Sequence, residues 1–196
     1  MKMFFASLAL LLSLTLQSQN AMNDSLPYAT IPEAHETFTP GTVIARVIDG
    51  LGFRYYWASE GLTEDNLHYA PGNEGRDIKQ TLEHIYGLSA VILNAAKKQP
   101  NDRTTSPKKL EPIAQRKKTL ENLKEASELF SNSTDLNEHK IIFETKNGTA
   151  NYPFWNGING PIEDALWHAG QIVVMRRSAG NPINPKVNVF LGKLND

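Results

Sequence analysis

Ile162-Glu163-Asp164-Ala165-Leu166-Trp167-His168-Ala169-Gly170-Gln171-Ile172 is the stretch of this sequence that best defines its fold. Its apolar residues recur at the three- and four-residue spacing of a helix with one buried face. Pro161 precedes it, and proline is favoured at the first position of a helix. Arg176-Arg177 and Gly180 follow, and basic residues and glycine are typical of a helix end. The segment therefore predicts a helix that starts at Gly160-Pro161 and ends near Arg177.

Three more amphipathic helices are predicted upstream of this one. The first begins after Thr39-Pro40 and ends near Gly61, the second runs from about Asp77 to Lys98, and the third from about Pro112 to Phe130. Their predicted inner faces are Ile44, Ile48, Leu51 and Tyr55, then Ile78, Leu82, Ile85, Ser89 and Ile92, then Ile113, Leu120, Leu123 and Phe130. Four such helices without a central run of strands predict an all-α four-helix bundle over residues 41–180.

The remaining segments are predicted to be connections. Residues 22–40 are predicted to form an extended lead-in and residues 66–75 a loop, since both segments contain proline or glycine. Two short segments flank Asn147-Gly148, a pair typical of tight turns, and predict a small hairpin between the third and fourth helices. Residues 181–196 read as an irregular tail, anchored by the apolar side chains Val187, Val189, Phe190 and Leu191.

Composition narrows the chemistry of any site. The 196-residue chain has a formal net charge of −1, which does not suggest nucleic-acid binding. It has no cysteine, so any metal must be held by histidine and carboxylate side chains, and disulfides and thiol nucleophiles are excluded.

The N-terminus has the layout of a secretory signal peptide. Lys2 supplies a positive start, Phe4 to Leu16 is mostly apolar, and a polar stretch follows. The apolar run is short for a transmembrane span. We therefore expect residues 1–21 to be removed and the mature protein to be periplasmic or extracellular, without a stable membrane span; an uncleaved N-terminal anchor is the alternative.

Three residues are candidates for a metal site. Asp164 and His168 are four residues apart, so they lie on one face of the fourth helix, next to its apolar stripe. His84 lies in the middle of the second helix, and a ligand from a second helix is what a site with three protein ligands needs. Each has a simpler explanation: Asp164 favours the positive end of the helix, and His84 suits a partly buried imidazole.

Two segments resemble the DinB/YfiT-like superfamily of metal-binding four-helix bundles. Gln80-Thr81-Leu82-Glu83-His84-Ile85 looks like its second-helix histidine motif, and residues 162–172 look like its fourth-helix motif, which commonly reads His-x-x-x-His-x-Gly-Gln. The resemblance covers about Thr39 to Ala179. It implies a metal held by His84, Asp164 and His168, with Asp164 standing where the family usually has histidine. Such a donor set suits zinc or nickel, with iron or manganese as alternatives.

The resemblance also implies a function. Members with a known activity are mainly transferases that use low-molecular-weight thiols and one type of thiol-dependent isomerase, so we expect a metal-dependent transferase or hydrolase that activates a thiol or water on a small substrate. The alternative is a non-catalytic secreted binding protein with a vestigial metal site. Nucleic acid is not an expected partner, and a homodimer is left open.

Other residues near the motifs have weaker predictions. Gln171 is expected either to orient a metal ligand or to be a buried amide, and Gly170 to admit a neighbouring helix. Five aromatic residues are expected to be mostly core, or to line a pocket above the metal: Tyr55, Tyr56, Trp57, Trp155 and Trp167. Three other histidines are expected to be solvated: His35, His68 and His139.

Overall fold

The fold is built around four long helices. The computed structural model describes residues 26–72, 74–106 and 109–196, so the predicted signal peptide and the start of the lead-in lie outside the described residues. The long helices are α1 (Pro40–Ser59), α2 (Ile78–Ala96), α3 (Pro112–Ser131) and α4 (Glu163–Ser178). The bounds of α1, α2 and α3 agree with the sequence prediction to within about two residues.

Local capping explains where α1 and α2 begin. The Thr39 side chain accepts a hydrogen bond from the Thr42 amide, and the Thr42 side chain accepts one from the Thr39 amide. Asp77 and Gln80 make the same reciprocal pair at the start of α2. Each pair satisfies two amides that a helix start leaves without partners, so both starts are encoded locally.

The long helices pack in a cycle: α1 contacts α3 and α4, and α2 contacts the same two helices. The core between them contains Ile48, Leu51 and Tyr55 of α1, Ile78, Ile85 and Ile92 of α2, Leu120, Leu123 and Phe130 of α3, and Ile162, Ala165 and Ile172 at α4. The fold is therefore mostly helical, with a small strand element. Among the described residues, no helix is long and apolar enough to cross a membrane.

The inner face of α3 differs from the prediction. Ile113 was expected inside but is 87% exposed, because it lies in the first turn, ahead of the buried part of the helix. Polar residues occupy part of the buried face instead. Thr119 donates a hydrogen bond to the Gln115 carbonyl at 2.9 Å, and Asn122 donates one to Ser89 of α2 at 3.1 Å. Such bonds reduce the cost of burying polar groups, which a search for apolar periodicity overlooks.

The predicted hairpin is confirmed, but its turn differs. Strand β2 (Ile141–Thr145) pairs antiparallel with β3 (Gly148–Tyr152), and β1 (Asn101–Asp102) adds a short parallel strand to β2. Thr145 faces Gly148, so the turn residues are Lys146 and Asn147 rather than Asn147-Gly148. Gly148 has a φ of +122°, a region that glycine tolerates, and it begins the return strand.

The start of the last helix was predicted wrongly. A helical turn begins at Trp155–Gly157 and continues through a π turn, Ile158–Ile162, into α4. Pro161 lies inside the π turn, not at the first position of a helix. Proline has no amide to donate and its ring crowds the preceding turn, and the wider π turn accommodates it without ending the helix.

The connections are more ordered than expected. Glu64–Leu67 forms one helical turn that overlaps the start of the predicted loop, residues 66–75, and Leu136–Glu138 forms a 3₁₀ turn. The tail forms a two-residue pairing of β4 (Val187–Asn188) with β5 (Lys193–Leu194). Three of its four predicted anchors are wrong: Phe190 is 94% exposed, and Val189 and Leu191 are also exposed, because they lie at the tip of this pairing. Val187 is partly buried in the pairing itself. The tail is held instead through Gly192, whose carbonyl accepts from the Ile31 amide.

A buried arginine joins α4 to α1. The Arg176 guanidinium donates to the carbonyls of Trp57, Ala58 and Glu60 at the end of α1 and to the Asn181 carbonyl. A cation is favoured at the negative end of a helix, and these bonds compensate the cost of its burial. Arg176 thereby sets how the end of α4 lies against α1.

Candidate metal centre

The three candidate residues meet between α2 and α4. His84 lies near the middle of α2, Asp164 is the second residue of α4, and His168 follows one turn later. The neighbours Ile85, Ala165 and Ala169 are fully buried and pack α2 and α4 together. The candidate side chains therefore emerge at the edge of the core, where all three are partly buried.

The carboxylate of Asp164 lies between the two imidazole rings. One oxygen is 2.9 Å from His84 Nε2, and the other is 3.1 Å from His168 Nε2. The two rings contact each other edge to face, with centroids 4.7 Å apart. One nitrogen or oxygen from each of the three residues lies within 4.8 Å of the others, and this group could hold a metal ion.

Gln171 is a close hydrogen-bond partner of the His168 ring. The Nδ1 of His168 is 2.7 Å from the Gln171 side-chain oxygen, so in this orientation Nδ1 carries the proton and donates it. In a neutral ring, Nε2 then holds a lone pair. That lone pair faces an oxygen of Asp164, which is also an acceptor. Two acceptor atoms 3.1 Å apart repel each other, so this contact is favourable only when a cation or a proton lies between them.

The donor set fits a divalent metal. Two imidazole nitrogens and a carboxylate oxygen are ordinary ligands of zinc and similar ions, and three protein ligands leave a position open for water or substrate. Donors about 2.0–2.2 Å from one ion are at most about 4.4 Å apart, so small side-chain rotations would bring these atoms to ligand distance. Gln171 supplies the outer hydrogen bond that usually orients a ligating histidine.

An open groove begins at His168 and continues along the outer face of α4. Its volume is about 790 Å³, and its opposite wall is formed by Tyr69, Pro71, Gly75 and Arg76. Trp167 and Val174 are exposed in it, and the Trp167 ring is nearly parallel to the His168 ring. The groove is large enough for a small organic molecule and reaches the candidate metal centre at one end.

Residues 54–189, more than half of the chain, match the family model described as DinB family. The chain belongs to the DinB family. The matched range contains His84, Asp164 and His168, and it agrees with the resemblance carried by the second- and fourth-helix motifs. No curated protein and no solved structure matches this DinB protein.

Several residues near the centre differ from their predicted roles. Gly170 does not admit a neighbouring helix; it lines the groove, with open space where a Cβ would lie. Gln171 is not a buried amide but an exposed partner of His168. Trp155 and Trp167 are more than 70% exposed, so neither is a core residue, and only Trp167 is near the site.

His139 was expected to be solvated but is buried. Its Nδ1 donates to the Ala95 carbonyl at 3.0 Å, and its Nε2 is 2.8 Å from the Ser133 hydroxyl. Both ring nitrogens therefore have hydrogen-bond partners within the fold, and these bonds compensate for the loss of water on burial. His35 and His68 are exposed, as expected.

Arg76 is the residue of this region that the sequence analysis missed. It lies just before Asp77, the residue that caps α2, and its guanidinium is 3.4 Å from His168 Nε2. A cation at the positive end of a helix has the wrong sign for helix stability. The position of a cation just before a helix start is therefore the sequence feature that could have indicated a role for Arg76 outside the helix.

Proposed function

We propose that this DinB protein is a four-helix bundle that holds one divalent metal with His84, Asp164 and His168 and acts as an exported transferase or hydrolase. The cyclic contacts of α1 to α4 support the bundle, and family membership supports the metal. The observation that carries the proposal is the meeting of two imidazoles and one carboxylate from two helices.

The chemistry follows from the donor set and the groove. A bound divalent metal lowers the pKa of a thiol or water in its open position and so supplies a nucleophile at neutral pH. His168 is oriented for this role by Gln171, and the groove beside it gives a substrate access to the same side. Zinc or nickel suits two imidazole nitrogens and one carboxylate, with iron or manganese as alternatives.

A specific observation favours the rival function, a secreted binding protein with a vestigial site. The Asp164 carboxylate already contacts both imidazoles, so a protonated form of the cluster can satisfy itself without any metal. The two readings differ in metal content, which can be measured directly.

Elemental analysis of purified protein after supplementation with zinc, nickel, iron or manganese tests the proposal. We expect close to one metal per chain in the wild type, none in His84→Ala or His168→Ala, and weaker binding in Asp164→Asn, which keeps the shape but loses the charge. His68→Ala removes an exposed histidine elsewhere and is the matched control. Metal-free wild type under every condition would leave only the vestigial-site reading.

Export is a separate part of the proposal, supported by the layout of residues 1–21. Intact-mass analysis of protein from an export-competent host should give a mature N-terminus between Gln19 and Met22. A soluble cytoplasmic product that retains Met1 would contradict export and leave the metal proposal untouched.

A further inference from the structure

Arg76 carries a full positive charge beside the site, and it forms no ion pair with any residue that the structure describes. Its polar contact there is the 3.4 Å approach to His168 Nε2. By contrast, Arg116 pairs with Glu60 at 2.5 Å and lies over the Tyr56 ring. Apart from this contact to His168, the donors of the Arg76 guanidinium have no partner among the described residues, and Arg76 lines the groove.

The groove next to Arg76 is lined mainly by apolar side chains and one positive charge. None of its described lining residues is acidic, and Arg76 is the permanently charged one among them. Trp167, Val174 and Leu166 provide flat or branched apolar surface along α4, and Trp167 is 72% exposed. A ligand with an apolar, planar body and an anionic end would match both features, since the anion would reach Arg76 while the body covers Trp167.

Arg76 and a metal would also compete for the same atom. The Nε2 of His168 lies 3.4 Å from the Arg76 guanidinium and 3.1 Å from an Asp164 oxygen, and it is the atom that would ligate a metal. A divalent cation held by His168 would repel the Arg76 guanidinium and so would favour a position of that side chain farther from His168, toward the groove. An anion in the groove would pair with Arg76 in that position and remove the repulsion.

We propose that the groove binds a small anionic substrate with a planar apolar body, whose carboxylate or phosphate pairs with Arg76, and that this binding favours metal binding at His168. The inference rests on the proposed function for the statement that the ligand is a substrate. The anion-binding role of Arg76 does not require the metal. By thermodynamic linkage, the anion raises metal affinity by the same factor as the metal raises anion affinity.

The first experiment measures anion binding in metal-free, chelator-treated full-length protein by calorimetry. The probes are 2-naphthoate, 2-naphthyl phosphate and the neutral 2-naphthamide. We expect the two anions to bind and the amide to bind about tenfold or more weakly, because a charge-assisted hydrogen bond is lost. The stronger of the two anions identifies carboxylate or phosphate as the preferred group. Equal binding of amide and anions would overturn the inference.

Amino-acid substitutions test whether the probes bind in this groove. Arg76→Gln should weaken both anions about tenfold or more and leave the amide unchanged, whereas Trp167→Ala should weaken all three probes. Arg103→Gln is the matched control, since it removes one arginine that lies over Phe143 outside the groove. Unchanged anion binding in Arg76→Gln would overturn the inference. So would a change in sedimentation of Trp167→Ala without a loss of probe binding, because the groove would then contact a second copy of the chain.

The second experiment tests the coupling. Metal titrations should show tighter binding in Arg76→Gln than in wild type, and 2-naphthoate should tighten metal binding in wild type but not in Arg76→Gln. A merely structural Arg76 would weaken metal binding when removed, which is the opposite sign. If wild type binds 2-naphthoate through Arg76 but no metal, the proposed function fails while the anion site stands. If it binds metal but no anion, only the inference fails.

Discussion

The hydrogen bond from His168 to Gln171 gives the clearest prediction at the scale of single residues. Gln171→Ala removes the acceptor that holds the Nδ1 proton, so both the tautomer and the orientation of the ring become free. We expect a loss of about 10–100-fold in metal affinity, measured by competition with a chelating dye. Gln171→Glu keeps an acceptor and should retain affinity.

The control for Gln171 is Gln99→Ala, which removes an exposed amide beyond the end of α2. It should not change metal affinity. Equal affinities of Gln171→Ala and wild type would show that Gln171 does not orient His168.

Tyr55 gives a prediction about alkaline pH. Burial raises its pKa to about 12, although nearby Thr119 and the charge of Arg116 lower it by a smaller amount. The folded state therefore keeps the phenol proton where the unfolded state, with a pKa of about 10, has lost it. Stability from this group is complete below pH 10 and is lost as pH rises from about 10 to 12, by about 2–3 kcal/mol.

Tyr55→Phe should remove that part of the pH dependence. The Tyr55 hydroxyl is buried and has no hydrogen-bond partner among the described residues, so its loss at neutral pH should change the free energy of unfolding by less than about 1 kcal/mol. Urea denaturation between pH 7 and 11 measures both effects. Burial also raises the pKa of Tyr28, so some alkaline sensitivity will remain. Identical pH profiles for the variant and the wild type would contradict the assignment.

At the scale of elements, two glycines of α1 should respond oppositely to alanine. A Cβ at Gly41 would lie 2.3 Å from the Phe130 carbonyl and 2.5 Å from the Ser133 carbonyl, so α1 and the end of α3 would have to separate. We expect Gly41→Ala to lower the free energy of unfolding by about 1–3 kcal/mol.

Gly50→Ala is the matched control in the same helix. Its Cβ would meet only the end of the flexible Arg54 side chain, at 3.2 Å. Since alanine is the better helix former, we expect Gly50→Ala to raise the free energy of unfolding by about 0.5–1 kcal/mol. Chemical denaturation of the two variants decides the matter, and equal destabilisation would contradict the close contact at Gly41.

At the scale of the whole molecule, a metal at the candidate centre would link α2 to α4 and stabilise the fold by mass action. At a free metal concentration a hundredfold above the dissociation constant, the gain is about 2.7 kcal/mol. For a chain of this size that corresponds to about 5–10 °C in melting temperature. Chelation should lower the melting temperature by this amount, and zinc or nickel should restore it.

His84→Ala and His168→Ala should each melt at the same temperature with and without chelator, since each lacks one of the three donors. His35→Ala, which removes an exposed histidine, should respond like the wild type. If neither chelator nor added metal changed the melting temperature of the wild type, a metal link between the helices would be contradicted.

The sequence alone was sufficient for the positions of α1, α2 and α3 and for the candidate residues His84, Asp164 and His168. Helix periodicity and caps such as Thr39 and Asp77 depend on residues three or four apart, so they are visible in a linear reading. The pair Asp164 and His168 is local in the same sense, because one helical turn separates them.

Only the tertiary structure decided the rest, because it depends on groups far apart in the chain. His84 meets Asp164 across 80 positions and Arg76 reaches His168 across 92, through the packing of α2 against α4. The π turn at Pro161 depends on helical turns on both sides of the proline, which a rule about first positions does not consider. His139 is buried and Trp167 is exposed because of how other helices and strands pack against these surfaces. A local sequence pattern does not contain this information.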